Sequence, residues 1–303
     1  MNNESFTLGI FSSNDADAKK EPQMNYFYDE DKVRYNLVSS LGGKTLNWLF
    51  FPGGPGCDSA YLLPLAKELK LDGNVLLVDL PGNGSNTVNE PYNYDFYLEL
   101  FPKIIKRFSN VVVVGHSFGG MIPLLSPDLE QDLAGLVLLN TAPSLWLEEA
   151  ANVAKTLNLP DLSHDMGKFS LHPSQETFDQ AISACAPYYF TPSSFEKGRE
   201  WLSSIPFRWQ PAVWWQQKAL EINYSAIWIP VNVHTLIIGA EFDAMTPLSL
   251  FEKDKRFDRH NISIIKINQA GHMPWFEKMD EVVQSIQQFE KQLFALSLPD
   301  GGK

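Results

Sequence analysis

The chain has 303 residues, 44% hydrophobic and 20% charged, a balance that builds a folded core and excludes a disordered chain except at its ends. Its formal net charge of −12 repels phosphate backbones and anionic lipid, and its one basic cluster, Lys253, Lys255 and Arg256, is broken by Asp254 and Asp258. Neither nucleic acid nor a membrane is therefore an expected partner.

Two cysteines, Cys57 and Cys185, stand far apart in sequence, with no zinc spacing. They read as two free thiols, with a single disulfide left open. The first twenty residues lack the basic start and apolar run of a secretory signal. No apolar run approaches the roughly 18 residues of a membrane span. The expectation is a cytoplasmic protein, a monomer or small homo-oligomer.

In chain order, residues 1–23 read as a polar tail. Met24–Tyr28 and Val33–Val38 flank the charged turn Asp29–Lys32 as a hairpin would. Leu46–Phe51, Val75–Asp79, Val111–Val114, Leu136–Leu139, His234–Gly239 and Ile262–Ile267 are short apolar runs, several of them stopped by Gly or Pro. Strands apolar on both alternations belong to a parallel sheet covered on both faces. Helix-like stretches alternate with them: Tyr61–Lys70, Tyr94–Phe108 (with Pro102 expected to kink or restart it), Ser117–Leu125 and Trp275–Phe294. This order predicts an α/β fold of about eight mostly parallel strands with helices on both faces.

Residues 143–230 break the rhythm. They hold six of the eight tryptophans and four helix-like stretches (Trp146–Leu157, Gln175–Ala184, Ser193–Ser203, Ala212–Leu220) joined by prolines. They read as a helical cap inserted into a core formed by residues 24–142 and 231–303.

Gly115-His116-Ser117-Phe118-Gly119 fits G-x-S-x-G, with an apolar strand before it and a helical stretch after it. That context places the serine on a sharp, strained turn, with its oxygen clear of the sheet. The Phe118 amide then faces the place where an oxyanion would form, with the start of a helix behind it. Among six histidines, His272 is the candidate base, because it follows the last strand on a loop able to reach over the sheet edge. Asp243, in the turn after Ile237–Gly239, is the candidate acid, with Glu241 as its rival. The earlier strand end carries Asn140, which supplies no charge. The order Ser, Asp, His is the one such sheets use.

These segments, together with Asp79-Leu80-Pro81-Gly82-Asn83-Gly84-Ser85, Ile238-Gly239-Ala240-Glu241-Phe242-Asp243 and Ala270-Gly271-His272, resemble the α/β-hydrolase superfamily over roughly residues 24–142 and 231–296. Pro52-Gly53-Gly54-Pro55-Gly56 resembles the His-Gly-Gly-Pro-Gly loop of prolyl iminopeptidases. That resemblance implies Gly54 as the second oxyanion donor. The sequence departs from that family in two ways: Pro52 replaces the His, and His116 and Phe118 replace the usual Gly and Trp of the nucleophile turn.

The expected activity is cleavage of an ester or amide of a small-molecule or short-peptide substrate through an acyl-enzyme, with no metal or organic cofactor. An esterase-like enzyme ranks ahead of a prolyl iminopeptidase-like aminopeptidase. A non-enzymatic binding protein that kept the fold is the third reading. The aminopeptidase would need carboxylates for the free amine, and Glu148, Glu149, Glu196, Glu200 and Glu221 are available. The substrate-binding residues stay open.

Overall fold

A computed structural model of the chain describes residues 26–42, 46–87 and 93–297, so the polar tail and Met24 lie outside the described residues. Eight strands form one sheet: β1 (Tyr26–Tyr28), β2 (Arg34–Leu41), β3 (Asn47–Phe51), β4 (Gly73–Asp79), β5 (Val111–His116), β6 (Leu133–Leu139), β7 (Thr235–Ala240) and β8 (Ile262–Ile267). Their spatial order is β1-β2-β4-β3-β5-β6-β7-β8. The expected hairpin is present: β1 pairs antiparallel with β2, and β2 with β4. Every pairing from β4 across to β8 is parallel.

Alternation along the strands divides the apolar side chains between two cores. Leu49, Phe51, Val111, Val113, Leu136 and Leu138 point to one face. Trp48, Phe50, Val112, Val114, Val137 and Leu139 point to the other. Helix α1 (Leu63–Leu69) packs on the second face and α2 (Tyr94–Lys106) on the first. A single helical turn, α3 (Phe118–Met121), follows β5.

Between β6 and β7 lie α4 (Leu147–Thr156), α5 (Ser163–Leu171), α6 (Gln175–Ala184), α7 (Ala186–Tyr189), α8 (Phe195–Ser204) and α9 (Trp209–Glu221). Then come α10 (Ser249–Lys253), α11 (Pro274–Glu277) and α12 (Met279–Ser297). Val282, Ile286, Phe289 and Leu293 of α12 cover the second face. No described helix is long and apolar enough to cross a membrane. Cys57 and Cys185 are both buried and free.

Three helix expectations need correction. Helix α2 runs through Pro102 without a break, since a proline removes only one backbone donor and Leu100, Phe101, Ile104 and Ile105 are buried on either side of it. The stretch after Ser117 is not one helix but one α turn followed by a 3-10 turn at Pro123–Leu125. Trp275–Phe294 is two helices, broken at Lys278, whose backbone leaves the helical region. In the inserted segment α5 and α7 are additional. Helix α5 buries little beyond Phe169 and α7 is a single turn carrying a proline, so neither leaves an apolar stripe in the sequence.

The inserted segment is closed at its neck. Leu145 N–H donates to the Tyr224 carbonyl (2.9 Å) and Ala226 N–H to that of Pro143 (2.6 Å). Glu130 gathers the segment that returns to β7, its carboxylate accepting from Trp228 Nε1 and from the amides of Val231, Asn232 and Val233.

On the other side of the sheet, the start of β2 and the end of β4 meet in a buried ion cluster. Arg34 donates through Nε to Asp79 (2.8 Å) and through a terminal nitrogen to Ser85 (2.9 Å), with Asp58 3.7 Å away. Asp79 and Asp58 also accept from Ser59 N–H and the Ser85 hydroxyl. The cluster fastens loop 79–86 to the loop after β3, where Asn83 Oδ1 accepts from Gly56 N–H. Arg34→Met would leave two carboxylates buried without their cation. It is expected to cost about 3–5 kcal/mol of stability, measured by urea unfolding followed by circular dichroism.

Candidate active site

The loops after β3, β5, β7 and β8 all leave the carboxyl ends of parallel strands, so four sequence-distant segments meet at one edge of the sheet. Ser117 follows β5 in a strained conformation, with φ 51° and ψ −121°. Glycines make this turn possible. A Cβ on Gly115 would lie 2.3 Å from the Gly119 carbonyl oxygen, and one on Gly119 would lie 2.5 Å from that of Phe51. The Ser117 carbonyl is itself tied down by the Thr141 hydroxyl (2.6 Å). Ser117 stays partly exposed where its neighbours on both sides are buried.

His272 Nδ1 lies 3.1 and 3.0 Å from the two carboxylate oxygens of Asp243. Glu241 is elsewhere: it is exposed and accepts from Gln269 N–H. Asp243 is fully buried, and its carboxylate also accepts from Met245 N–H, Thr246 N–H, the Thr246 hydroxyl and Asn140 Nδ2 (2.8 Å). Burial alone would raise its pKa. The adjacent His272 ring and the surrounding hydrogen bonds reverse that and hold it at about 2. An acceptor-only carboxylate on Nδ1 fixes the proton there and leaves Nε2 with its lone pair.

The backbone of His272 is held as well. Its N–H donates to the Tyr189 carbonyl (2.7 Å). The preceding Gly271 N–H donates to Glu277 (2.6 Å), which also accepts from the Thr191 amide and hydroxyl. The helix break at Lys278 follows directly on Glu277.

Ser117 and His272 line one cavity of about 90 Å³ with Gly53, Gly54, Cys57 and Thr246. Trp146, Tyr189, Leu202, Phe207 and Trp215 of the inserted segment also line it, with Met121, Met245 and Met273 from the segments that follow β5, β7 and β8. Two of the six tryptophans of the segment thus reach the cavity. Among the described residues, none lining it carries a carboxylate. Glu149 is engaged by Ser249 and Lys253, Glu196 by Arg199 and Glu221 by Lys218, while Glu148 and Glu200 are exposed.

The amides of Gly54 and Phe118 donate to no acceptor among the described residues. The Phe118 ring packs inward on Trp215, at 5.0 Å between centroids. The helix behind Phe118 is one turn long, so the dipole expected there contributes little beyond its first amides. His164, His172 and His260 are exposed, and the described residues hold no cluster of His, Cys, Asp or Glu that could take a metal ion.

Sequence reasoning missed Thr246, Glu277, Tyr61 and the role of His116, and named Asn140 without its bond to Asp243. Only Thr246 carried a local signal, lying three residues after Asp243 with its amide and hydroxyl both on the carboxylate.

A family model described as the alpha/beta hydrolase family matches residues 48–285, and the chain belongs to that family. Over 113 residues it is 32% identical to a proline iminopeptidase of Saccharolobus solfataricus, a match covering 34% of this chain and 36% of that protein. The chain therefore aligns with only about a third of that relative's length. Its fold is similar to an esterase from Exiguobacterium antarcticum (TM-score 0.63, 15% identity, covering 89% of this chain and 100% of the other). It is equally similar to a proline iminopeptidase from Mycobacterium smegmatis (TM-score 0.62, 18% identity, covering 91% and 100%).

The environment of Asp243 predicts a pH signature. Its depressed pKa contributes stability that is complete above about pH 4 and is lost as pH falls through about 2. Asn140→Asp would set a second carboxylate against it, so that the folded pair retains a proton that the unfolded chain has released. The expected result is reversed: relative to wild type, the variant loses stability as pH rises from about 4 to 7. Melting temperatures across that range measure it.

Proposed function

We propose that this chain is a serine hydrolase that cleaves an ester of a small substrate through an acyl-enzyme. Ser117 Oγ attacks the acyl carbonyl while His272 Nε2 takes its proton. Asp243 stays ionised, holds the proton on Nδ1 and stabilises the imidazolium. The amides of Gly54 and Phe118 receive the oxyanion. His272 then protonates the leaving group, and water repeats the cycle on the acyl-enzyme. The inserted segment acts as the cap that shapes the acyl and leaving-group sites.

One observation carries this reading: a partly exposed serine on a strained turn shares a cavity with a histidine whose other nitrogen is held by a buried, ionised aspartate. The same cavity ranks the substrates. A free α-amine entering a small aromatic-walled space would need a carboxylate to meet it, and none of the described lining residues offers one. Esters need no such partner. The likeness to the Saccharolobus proline iminopeptidase favours the aminopeptidase as the second reading.

A fluorophosphonate should label Ser117 in the wild type and leave Ser117→Ala unlabelled. Hydrolysis of short p-nitrophenyl esters should exceed that of a proline aminomethylcoumarin amide in kcat/KM, and Ser117→Ala should lower it by about 10⁴-fold or more. Preference for the proline amide would establish the aminopeptidase instead. A folded wild type that neither labels nor turns over ester would return the chain to the class of binding proteins.

A further inference from the structure

We propose that Tyr61 and His116 form a fixed hydrogen-bond strut that sets the oxyanion loop against the base, which makes both of them positioning residues for the reaction above. This inference rests on that reading of Ser117 and His272.

The strut has three bonds. Gly53 N–H donates to Tyr61 Oη (2.6 Å). Tyr61 Oη lies 2.7 Å from His116 Nδ1. His116 Nε2 lies 3.0 Å from the backbone carbonyl of His272. The direction of every proton follows from the two ends. A carbonyl only accepts, so His116 Nε2 carries a hydrogen. A backbone amide only donates, so Tyr61 Oη accepts from Gly53 and has its own hydrogen to give. Nδ1 then receives it, and His116 is neutral with a single allowed tautomer. Burial pushes its pKa well below the ordinary value, and a protonated His272 close by would push it in the same direction, so His116 stays neutral.

The four residues come from four segments: the loop after β3, the 3-10 turn at Ser59–Leu62, the end of β5 and the loop after β8. Each is buried or nearly so. Between the ends of the strut sits Ser117, with its Cβ 2.9 Å from where a Gly53 side chain would begin. The loop is thus pressed on the nucleophile, and the amide after Gly53 is that of Gly54, the proposed oxyanion donor. Rotation of the Gly53–Gly54 peptide would swing that donor away. At the far end the strut holds the carbonyl of His272 while Tyr189 holds its amide, which leaves the ring little freedom of its own.

Displacement of a reacting group by about 1 Å costs on the order of 100-fold in rate, comparable to losing one oxyanion donor. Tyr61→Phe keeps the ring and removes the joint. The expected result is a fall of about 10- to 100-fold in kcat, with KM within about twofold of wild type. Turnover is counted per site titrated with fluorophosphonate, so loss of folded protein does not mimic the effect. Affinity for a trifluoromethyl ketone, which mimics the oxyanion adduct, should fall in step with kcat. Tyr35→Phe is the control, since that buried phenol donates to Asp29 in the distant hairpin; it should lower stability and leave turnover per titrated site unchanged.

Wild-type turnover per site in Tyr61→Phe would overturn the strut while leaving the Ser117 reading intact. An unlabelled wild type would overturn both. The wild-type protein also offers a test that no folding defect can mask: ¹⁵N imidazole spectra should show His116 as the neutral Nε2–H tautomer from about pH 5 to 9, and the Nδ1–H tautomer or an imidazolium would overturn the proposal.

Discussion

An ionised carboxylate taken fully out of water costs several kcal/mol unless donors surround it. Asp243 sits under that constraint, and much of the site's edge of the sheet is arranged to meet it. Two amides arrive from the turn that follows it, a hydroxyl from Thr246, an amide side chain from the end of β6 and the imidazole of His272 from the end of β8. Asn140 is the telling partner. Its Nδ2 serves Asp243 while its Oδ1 is buried with no partner, so one unmet polar atom is tolerated to keep the charge in place. The fixed carboxylate then fixes the imidazole, which lines the same cavity as Ser117.

Ser117 is held by a different means. Its backbone has left the regions that L-residues favour, and the contacts that hold it there are close-packed glycines and the Thr141 hydroxyl rather than charge. The two devices meet through the loop after β3 and through His116, the residue directly before Ser117. The His116 ring turns away from the nucleophile and bridges Tyr61 and the backbone of His272.

The sheet was legible because burial on both faces leaves unbroken apolar runs, as in Val111–Val114. The serine, the histidine and the aspartate were legible because strand-to-loop junctions are marked by Gly and Pro. The partners were not. Tyr61 and His116 are 55 residues apart and Asn140 and Asp243 103 apart, and no local pattern records such a pairing. Glu277 was hidden by a periodicity that continued smoothly across the break at Lys278. The inserted helices were read only in part, because contacts to the site come from residues at or beyond helix ends, which leave no helical stripe: Tyr189 and Phe190 against the His272 loop, Phe207 and Arg208 against the loop after β3.

The paired neck of the inserted segment has a consequence beyond this molecule's own chemistry. Residues 143–145 and 224–226 bind each other before the chain passes into β7, and β6 and β7 are neighbours in the sheet. The segment therefore begins and ends at nearly one point, and the sheet beneath is complete without it. Such a segment is an exchangeable part. A lineage could replace most of its helices, and so alter which molecules are admitted, provided that the new segment still offers the carbonyl that Tyr189 gives to the His272 amide.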